Sequence, residues 1–503
     1  MNTHTTPDNY DTSSSNAEGT EFPQVNQPSL AWCLTVLILL IGLLACAVFI
    51  YRSDSLTGAS QSVLLFMTAF VWAVSIIRYK TPYKHMENQL GKSIGDISPT
   101  LLLLFMVGAL SGTWMLSGIV PLLIDYGLKI ISPSVFLPAT CCICAIVSVM
   151  TGSSWATVAT IGVALLGVGQ AQGFSDGWIA GAIISGAYFG DKLSPMSDTT
   201  ILASSSTDTP LFTHIEYMLF TTIPSLVIAL IVFSVAGALH ESAPGADTSL
   251  ALAHNIESTY RLSLWLLVVP LIVGWMVFKK LPSLAVIVAA AVMGAVTAVI
   301  AQPHLVLQVA PQGSPLSMLA GSLSAFFGPT AVETGNAALN DLVSTGGMAG
   351  MLNTVWLIIC AISFGSAMYA SGMLQVLTAG IMRLARGAAS LVASTVASTF
   401  LLNILTGDQF LAIVLSGRIF SNTYRDMGYE SRLLSRSLED GGTVTSVLVP
   451  WNTCGMTQST VLGVSTLAYL PYCVFNYVSP LMSVLVAALG YKIVKPSKKS
   501  TTP

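Results

Sequence analysis

From Leu30 to Ile493 the chain is a succession of apolar segments separated by short polar joints. Many approach the ~20 residues a helix needs to cross a bilayer. No soluble core absorbs so many segments of that length, so the solvent of this chain is lipid. Its charged fraction agrees, at 9% against about 25% in soluble domains. Lipid offers no partner to a free backbone N–H or C=O, so each segment must be helical or enclosed by protein. Continuous rather than alternating hydrophobicity excludes a β-barrel. The expected fold is an all-α polytopic membrane protein, with no cofactor.

Residues 1–29 read as a disordered tail. They carry Asp8, Asp11, Glu18 and Glu21 but no Lys or Arg, which argues against a signal peptide. Leu30 to Tyr51 then reads as a retained first helix. Lys plus Arg number 20 and Asp plus Glu 23, so nothing suggests a nucleic-acid partner. Cys141, Cys142 and Cys144 lie in an apolar run and read as small core hydrophobes.

Positive charge collects in alternate joints. Arg78, Lys80, Lys84 and Lys92 form one group, Lys279 and Lys280 a second, and Arg383 and Arg386 a third. Arg425, Arg432 and Arg436 follow, then Lys492, Lys495, Lys498 and Lys499, whereas residues 302–350 hold no Lys or Arg. By the positive-inside rule the basic joints and both termini face the cytoplasm. Trp32, Trp72, Trp114 and Trp178 read as interfacial anchors. His85, His214 and Glu216 are expected at the surface.

The chain also repeats itself. Thr151-Gly152-Ser153 matches Thr406-Gly407-Asp408 at a spacing of 255, and Pro195 matches Pro450 at the same spacing. Ser117-Gly118 matches Ser371-Gly372 at 254, and Pro224 matches Pro480 at 256. The charge-based orientation gives the two halves opposite directions. The expectation is therefore inverted-topology repeats, with a first half at 30–301 (repeat 1 at about 78–238), a second half at 302–493 and a basic tail at 494–503. Inverted repeats with interrupted helices are typical of secondary transporters, whose sites lie where the interruptions meet near the bilayer midplane.

Two stretches interrupt the apolar pattern. Gly190-Asp191-Lys192-Leu193-Ser194-Pro195-Met196-Ser197-Asp198-Thr199-Thr200 places two acids, an ammonium, hydroxyls and a proline at membrane depth. Each such charge costs ~2.5–3.5 kcal/mol at a helix centre on insertion scales, and Pro195 disfavours helix at Ser194. Such a segment must line a cavity, where its oxygens suit a small hard cation such as sodium. Asp198 ranks first as the site carboxylate, Asp191 and Asp408 next, with Ser197, Thr199, Asn452 and Thr453 as neutral oxygen ligands. An Asp191–Lys192 ion pair is the structural alternative.

The second stretch runs from Ser437-Leu438-Glu439-Asp440-Gly441-Gly442 to Pro450-Trp451-Asn452-Thr453-Cys454-Gly455. Glu439 and Asp440 suit either the site or pairing with Arg432 or Arg436. The quartets Thr151-Gly152-Ser153-Ser154 and Thr406-Gly407-Asp408-Gln409 each separate a pair of apolar arms of about 16 residues, as at the tips of re-entrant hairpins. Thr151, Ser153 and Thr406 are secondary candidates, and Asp408 is equally suited to capping the helix after it. Glu333 lies in an uncharged tract and suits an external entrance or a solvated loop.

These motifs closely resemble the NhaC family of bacterial sodium/proton antiporters, over roughly residues 30–493. The resemblance implies a multi-pass inner-membrane protein with broken helices, re-entrant hairpins and a homodimeric assembly. It also implies exchange of cytoplasmic sodium for external protons, with no ATP consumed. The same family contains exchangers of proton-linked malate for sodium-linked lactate, for which Lys192 would supply the cation. An ion channel and an intramembrane enzyme are the remaining classes; no filter run or nucleotide or protease motif supports either.

Overall fold

The computed structural model describes residues 28–51, 55, 57–240, 254–279, 281–311, 313–332, 340 and 343–493. The two expected tails fall outside these residues, except Pro28 and Ser29, as do Lys280 and Glu333. The described chain is helical throughout, with one isolated bridge between Thr330 and Thr345. Nine of its helices are long and apolar enough to cross a membrane, or ten if the bent pair Thr466–Tyr472 and Val474–Ala488 is one span.

Two helices open the chain, α1 (Leu30–Tyr51) and α2 (Ala59–Ile77). The first half continues with α3 (Tyr83–Leu116), α4 (Ile119–Ile130), α5 (Pro133–Thr151) and α6 (Ser154–Ala171), the last containing a π turn over Val158–Gly162. Then come α7 (Asp176–Leu193), α8 (Asp198–Ser205) and α9 (Leu211–Leu239). Connecting helices follow as α10 (Val268–Phe278), α11 (Ser283–Ala301), α12 (Pro303–Val309) and α13 (Ser317–Phe327). The second half holds α14 (Leu352–Ala370), α15 (Met373–Met382), α16 (Ala388–Thr406) and α17 (Gln409–Asp426). It ends with α18 (Ser431–Gly441), α19 (Thr443–Ser446), α20 (Thr453–Leu462) and α21 (Val474–Ala488).

The spacing of 255 recurs in the element starts. Helices α6 and α17 begin at 154 and 409, α7 and α18 at 176 and 431, and α8 and α20 at 198 and 453. Individual hydrogen bonds repeat too. Ser148 Oγ donates to the carbonyl of Ala187 at 2.6 Å, and Asn403 Nδ2 donates to that of Gly442 at 2.7 Å. All four positions are related by 255.

Each tip is built the same way. Helices α5 and α16 end on glycines in the left-handed region, Gly152 (φ 68°) and Gly407 (φ 67°), where a side chain is strained. The next residue caps the following helix: Ser153 Oγ accepts from Ala156 N at 3.2 Å and Asp408 Oδ1 from Leu411 N at 2.9 Å. Arm length departs from the sequence reading. Helices α5 and α16 have 19 residues and α6 has 18, long enough to cross. The tip residues thus join arms that length alone does not make re-entrant.

Three side chains lie elsewhere than expected. Trp114 is buried and donates Nε1 to the carbonyl of Ala290 at 3.0 Å, so it anchors α3 to α11 rather than to an interface. His214 is fully buried, its Nδ1 2.8 Å from Ser435 Oγ. His85 has a ring nitrogen that is also out of solvent. The start of a span had suggested the surface for His214, but packing of α9 against α18 encloses it.

A Cβ at Gly152 would come within 2.8 Å of the Met196 backbone, on top of the left-handed φ. Gly152→Ala is expected to cost at least ~1–2 kcal/mol, read as a lower unfolding temperature of the detergent-solubilised protein. Gly42→Ala, where a Cβ meets nothing within 4 Å, should not lower it.

Candidate functional site

Pro195 ends α7 as its chemistry requires, leaving Ser194 extended at φ −80°, ψ 129°. The chain re-enters helix at Ser197, whose Oγ accepts from Thr200 N and lies 3.0 Å from Thr199 Oγ1. Carbonyls freed by the break accept the Thr200 hydroxyl, Lys192 O at 3.1 Å and Asp191 O at 3.4 Å. The Asp191 carbonyl also accepts from Ser194 N at 3.2 Å, so the interruption is partly satisfied from within.

A cavity of about 610 Å³ opens at this break. Thr151, Ser153, Asp191, Ser197, Asp198 and Thr199 line it, and the second half contributes Gln409 and Phe410. Asp191 is buried and its Oδ2 accepts from both Ser154 N (3.1 Å) and Ser154 Oγ (2.6 Å). Asp198 is the first residue of α8, where the helix dipole favours a negative charge. It is exposed to the cavity, and among the described residues no hydrogen bond or ion pair engages its carboxylate.

The second break gathers a separate cluster. Asn452 caps α20 by accepting from Cys454 N at 3.0 Å, while its Nδ2 donates to Asn403 O at 3.2 Å. Thr453 N donates to Gly407 O at 2.8 Å, and Thr453 Oγ1 to Asp408 Oδ2 at 3.5 Å. Thr406 Oγ1 donates to Asp408 O at 3.0 Å. Thus Asp408, Asn452, Thr453 and Thr406 assemble around the second tip but do not line the cavity. Gln409 joins the clusters: it lines the cavity and accepts from Ser446 Oγ at 3.2 Å.

Lys192 does not pair with Asp191. Its ammonium lies 2.5 Å from Asp440 Oδ1, and both side chains are fully buried. Ser479 Oγ donates to the same carboxylate oxygen at 2.5 Å and accepts from Lys192 at 3.1 Å. Thr221 Oγ1 donates to the other oxygen at 3.4 Å. The Asp191–Lys192 pairing is thereby replaced by a bridge between halves, because Lys192 and Asp191 leave α7 in different directions as adjacent helical positions must. Asp440 likewise does not pair with Arg432 or Arg436; Arg432 bonds Glu430 at 2.5 Å, and Arg436 stacks on Tyr217 with its guanidinium 4.8 Å from the ring centroid.

Ser154, Gln409, Asn403 and Ser446 were missed. The repeat spacing held the signal. Positions 154 and 191 bond to each other in the first half, and 409 and 446, each 255 later, bond in the second.

The matching family model is the Na+/H+ antiporter family, over residues 186–491. The chain is 36% identical to the Na(+)/H(+) antiporter NhaC of Alkalihalophilus pseudofirmus, covering 80% of this chain and 84% of that protein. It belongs to the NhaC family of Na+/H+ antiporters. Within that family it is 34% identical to NhaC of Bacillus subtilis, over 84% of this chain and 91% of the relative. It is 35% identical to the malate-2H(+)/Na(+)-lactate antiporter of the same organism, over 87% and 91%. The NhaC-family chain is therefore a multi-pass membrane transporter.

Removing one partner of a fully buried pair leaves the other charge uncompensated, at a typical cost of ~3–5 kcal/mol. Lys192→Met should lose stability on that scale. Lys192→Met/Asp440→Asn should recover most of it, read as unfolding temperatures of the single and double variants in detergent.

Proposed function

We propose that the protein exchanges cytoplasmic sodium for external protons, with Asp198 as the carboxylate at which the two compete. The supporting observation is an unpaired carboxylate at a helix start in a cavity lined by hydroxyls, with a second, bonded carboxylate beside it. Sodium takes hard oxygen ligands, and Asp191 before the break and Ser197, Asp198 and Thr199 after it offer them to one cavity. Either sodium or a proton neutralises Asp198, and one excludes the other. Competition of that kind couples two opposed fluxes without any other energy source.

Asp408 and Thr453 would complete the route in the second half, where Asn452 and Thr406 hold the tip against the break. In this reading the halves are inverted, the site lies near the bilayer midplane, and both termini face the cytoplasm of a bacterial inner membrane. Leu281 and Pro282, two and three positions after Lys279, line the cavity, and the basic joints assign that turn to the cytoplasm. The cavity is then the sodium entrance.

The similarity to a malate/lactate exchanger supports a second reading, in which an organic acid travels too. Against it, Lys192 is occupied by Asp440, and the described residues lining the cavity include no Lys, Arg or His. A carboxylate guest would meet Asp191 and Asp198 with only the start of α8 to favour it.

The test is collapse of a pre-formed pH gradient in everted vesicles from an antiporter-deficient strain. Sodium alone should collapse the gradient, and Asp198→Asn should reduce the response at least tenfold. Collapse that appears only with malate or lactate would move the protein to the second reading. Full exchange at unchanged sodium affinity in Asp198→Asn would remove Asp198 from the mechanism.

A further inference from the structure

Helix α18 carries three charged side chains within five residues, Arg436, Glu439 and Asp440, and none has exposed surface. One of the three is paired and a second is bonded in part, with Nε and Nη1 of Arg436 lacking a partner among the described residues. Asp440 is matched by Lys192. Arg436 lies over the Tyr217 ring and donates Nη2 to the carbonyl of Ser483 at 3.4 Å. Glu439 is different, since neither of its carboxylate oxygens has a hydrogen-bond partner among the described residues. One turn further on, the fully buried hydroxyl of Thr443 lies close to that carboxylate and has no other partner among the described residues. The helix is interrupted between them at Gly442, with φ −96° and ψ −77°.

No surrounding charge is bonded to Glu439 among the described residues. From α7 it faces Asp191 and Lys192, and on its own helix Asp440; these three act on it through space. Lys192 and Asp440 cancel each other. From α9 comes His214, whose Nδ1 is taken up by Ser435. The charged residues of α17, Arg418, Arg425 and Asp426, are exposed, while α16, α19 and α21 carry none. Asp198, on α8, is exposed to the cavity. Arg436, also buried on α18, makes no ion pair with Glu439 among the described residues, so the carboxylate is enclosed without a bonded counter-ion, which is strongly unfavourable.

We propose that Glu439, with the Thr443 hydroxyl, forms a second monovalent-cation site of this transporter, filled by sodium or by a proton and distinct from the site at Asp198. It rests on the transport reading above. Two oxygens of the carboxylate and one hydroxyl, beside a helix interruption, are the donor set that a small monovalent cation accepts. Asp191 of the first site acts on Glu439 through space, so filling one site acts electrostatically on the other. The second half would then contribute an occupied acid of its own, and the number of charges carried per cycle would depend on both sites.

The experiment uses purified full-length protein. Equilibrium binding of radiolabelled sodium is measured in detergent, and sodium-driven proton movement in proteoliposomes across a series of pH values. If sodium fills the site, Glu439→Gln should lose one bound sodium per chain. If a proton fills it, the sodium count should stay and the pH dependence of exchange should flatten. A folded Glu439→Gln variant that matches wild type in both measurements would overturn the proposal. Should that variant not fold, Thr443→Val serves instead: a tenfold or greater change in sodium affinity, or a displaced pH profile, is expected, and neither would overturn the proposal. Absence of sodium-driven proton movement in wild-type vesicles would instead overturn the transport reading, independently of the comparison of variants.

Discussion

A helix interrupted at membrane depth must find partners for its freed backbone groups within the protein, and this requirement organises both halves of the molecule. Each break is closed by a hairpin tip. In the first half the tip residue Ser154 donates twice to Asp191, next to the break. In the second, the carbonyl of Gly407 accepts directly from Thr453 N, the first residue after the break. Left-handed glycines bring the tips close enough for this, because a Cβ at either position would crowd the neighbouring chain. Satisfying the backbone and assembling the oxygens of a site are the same structural act.

The two halves solve the problem in one register with different chemistry. Position 191 in the first half is an acid bonded by a tip serine, whereas the equivalent contact of the second half is a break serine bonded to a tip glutamine, Ser446 to Gln409. The caps show the converse. Serine caps the first tip helix and Asp408 the second. Acid thus sits on the break in one half and on the tip in the other, so the cavity is asymmetric although the scaffold is duplicated. Near-identical frames thus carry unequal charges in the two halves.

Much of this was legible in the sequence. Helical class follows from the length and continuity of the apolar segments, and α1 spans Leu30–Tyr51 as read. The spacing of 255 pointed to Pro195, Pro450 and the glycine tips because proline and glycine change backbone geometry wherever they stand. What remained hidden were contacts between distant segments. Nothing local tells that Lys192 reaches Asp440, 248 positions away, in preference to its neighbour Asp191. Burial of Arg436 and His214 was equally unreadable, since both stand in polar sequence and become enclosed only when α9, α18 and α21 pack together.

That hidden bridge changes the electrostatic character of the site. Had Lys192 remained beside Asp191, the break would carry an ion pair whose ammonium lay within reach of an anion. Held by Asp440 and Ser479, the ammonium instead ties α7 to α18 and α21, and Thr221 on α9 bonds the same carboxylate. The first break keeps two carboxylates facing one cavity without a cation among its described lining residues. Two acids so placed repel each other until a positive charge arrives. A cavity with this lining is electrostatically complementary to a small cation that reaches both carboxylates, at the end of α7 and the start of α8, and not to an anion.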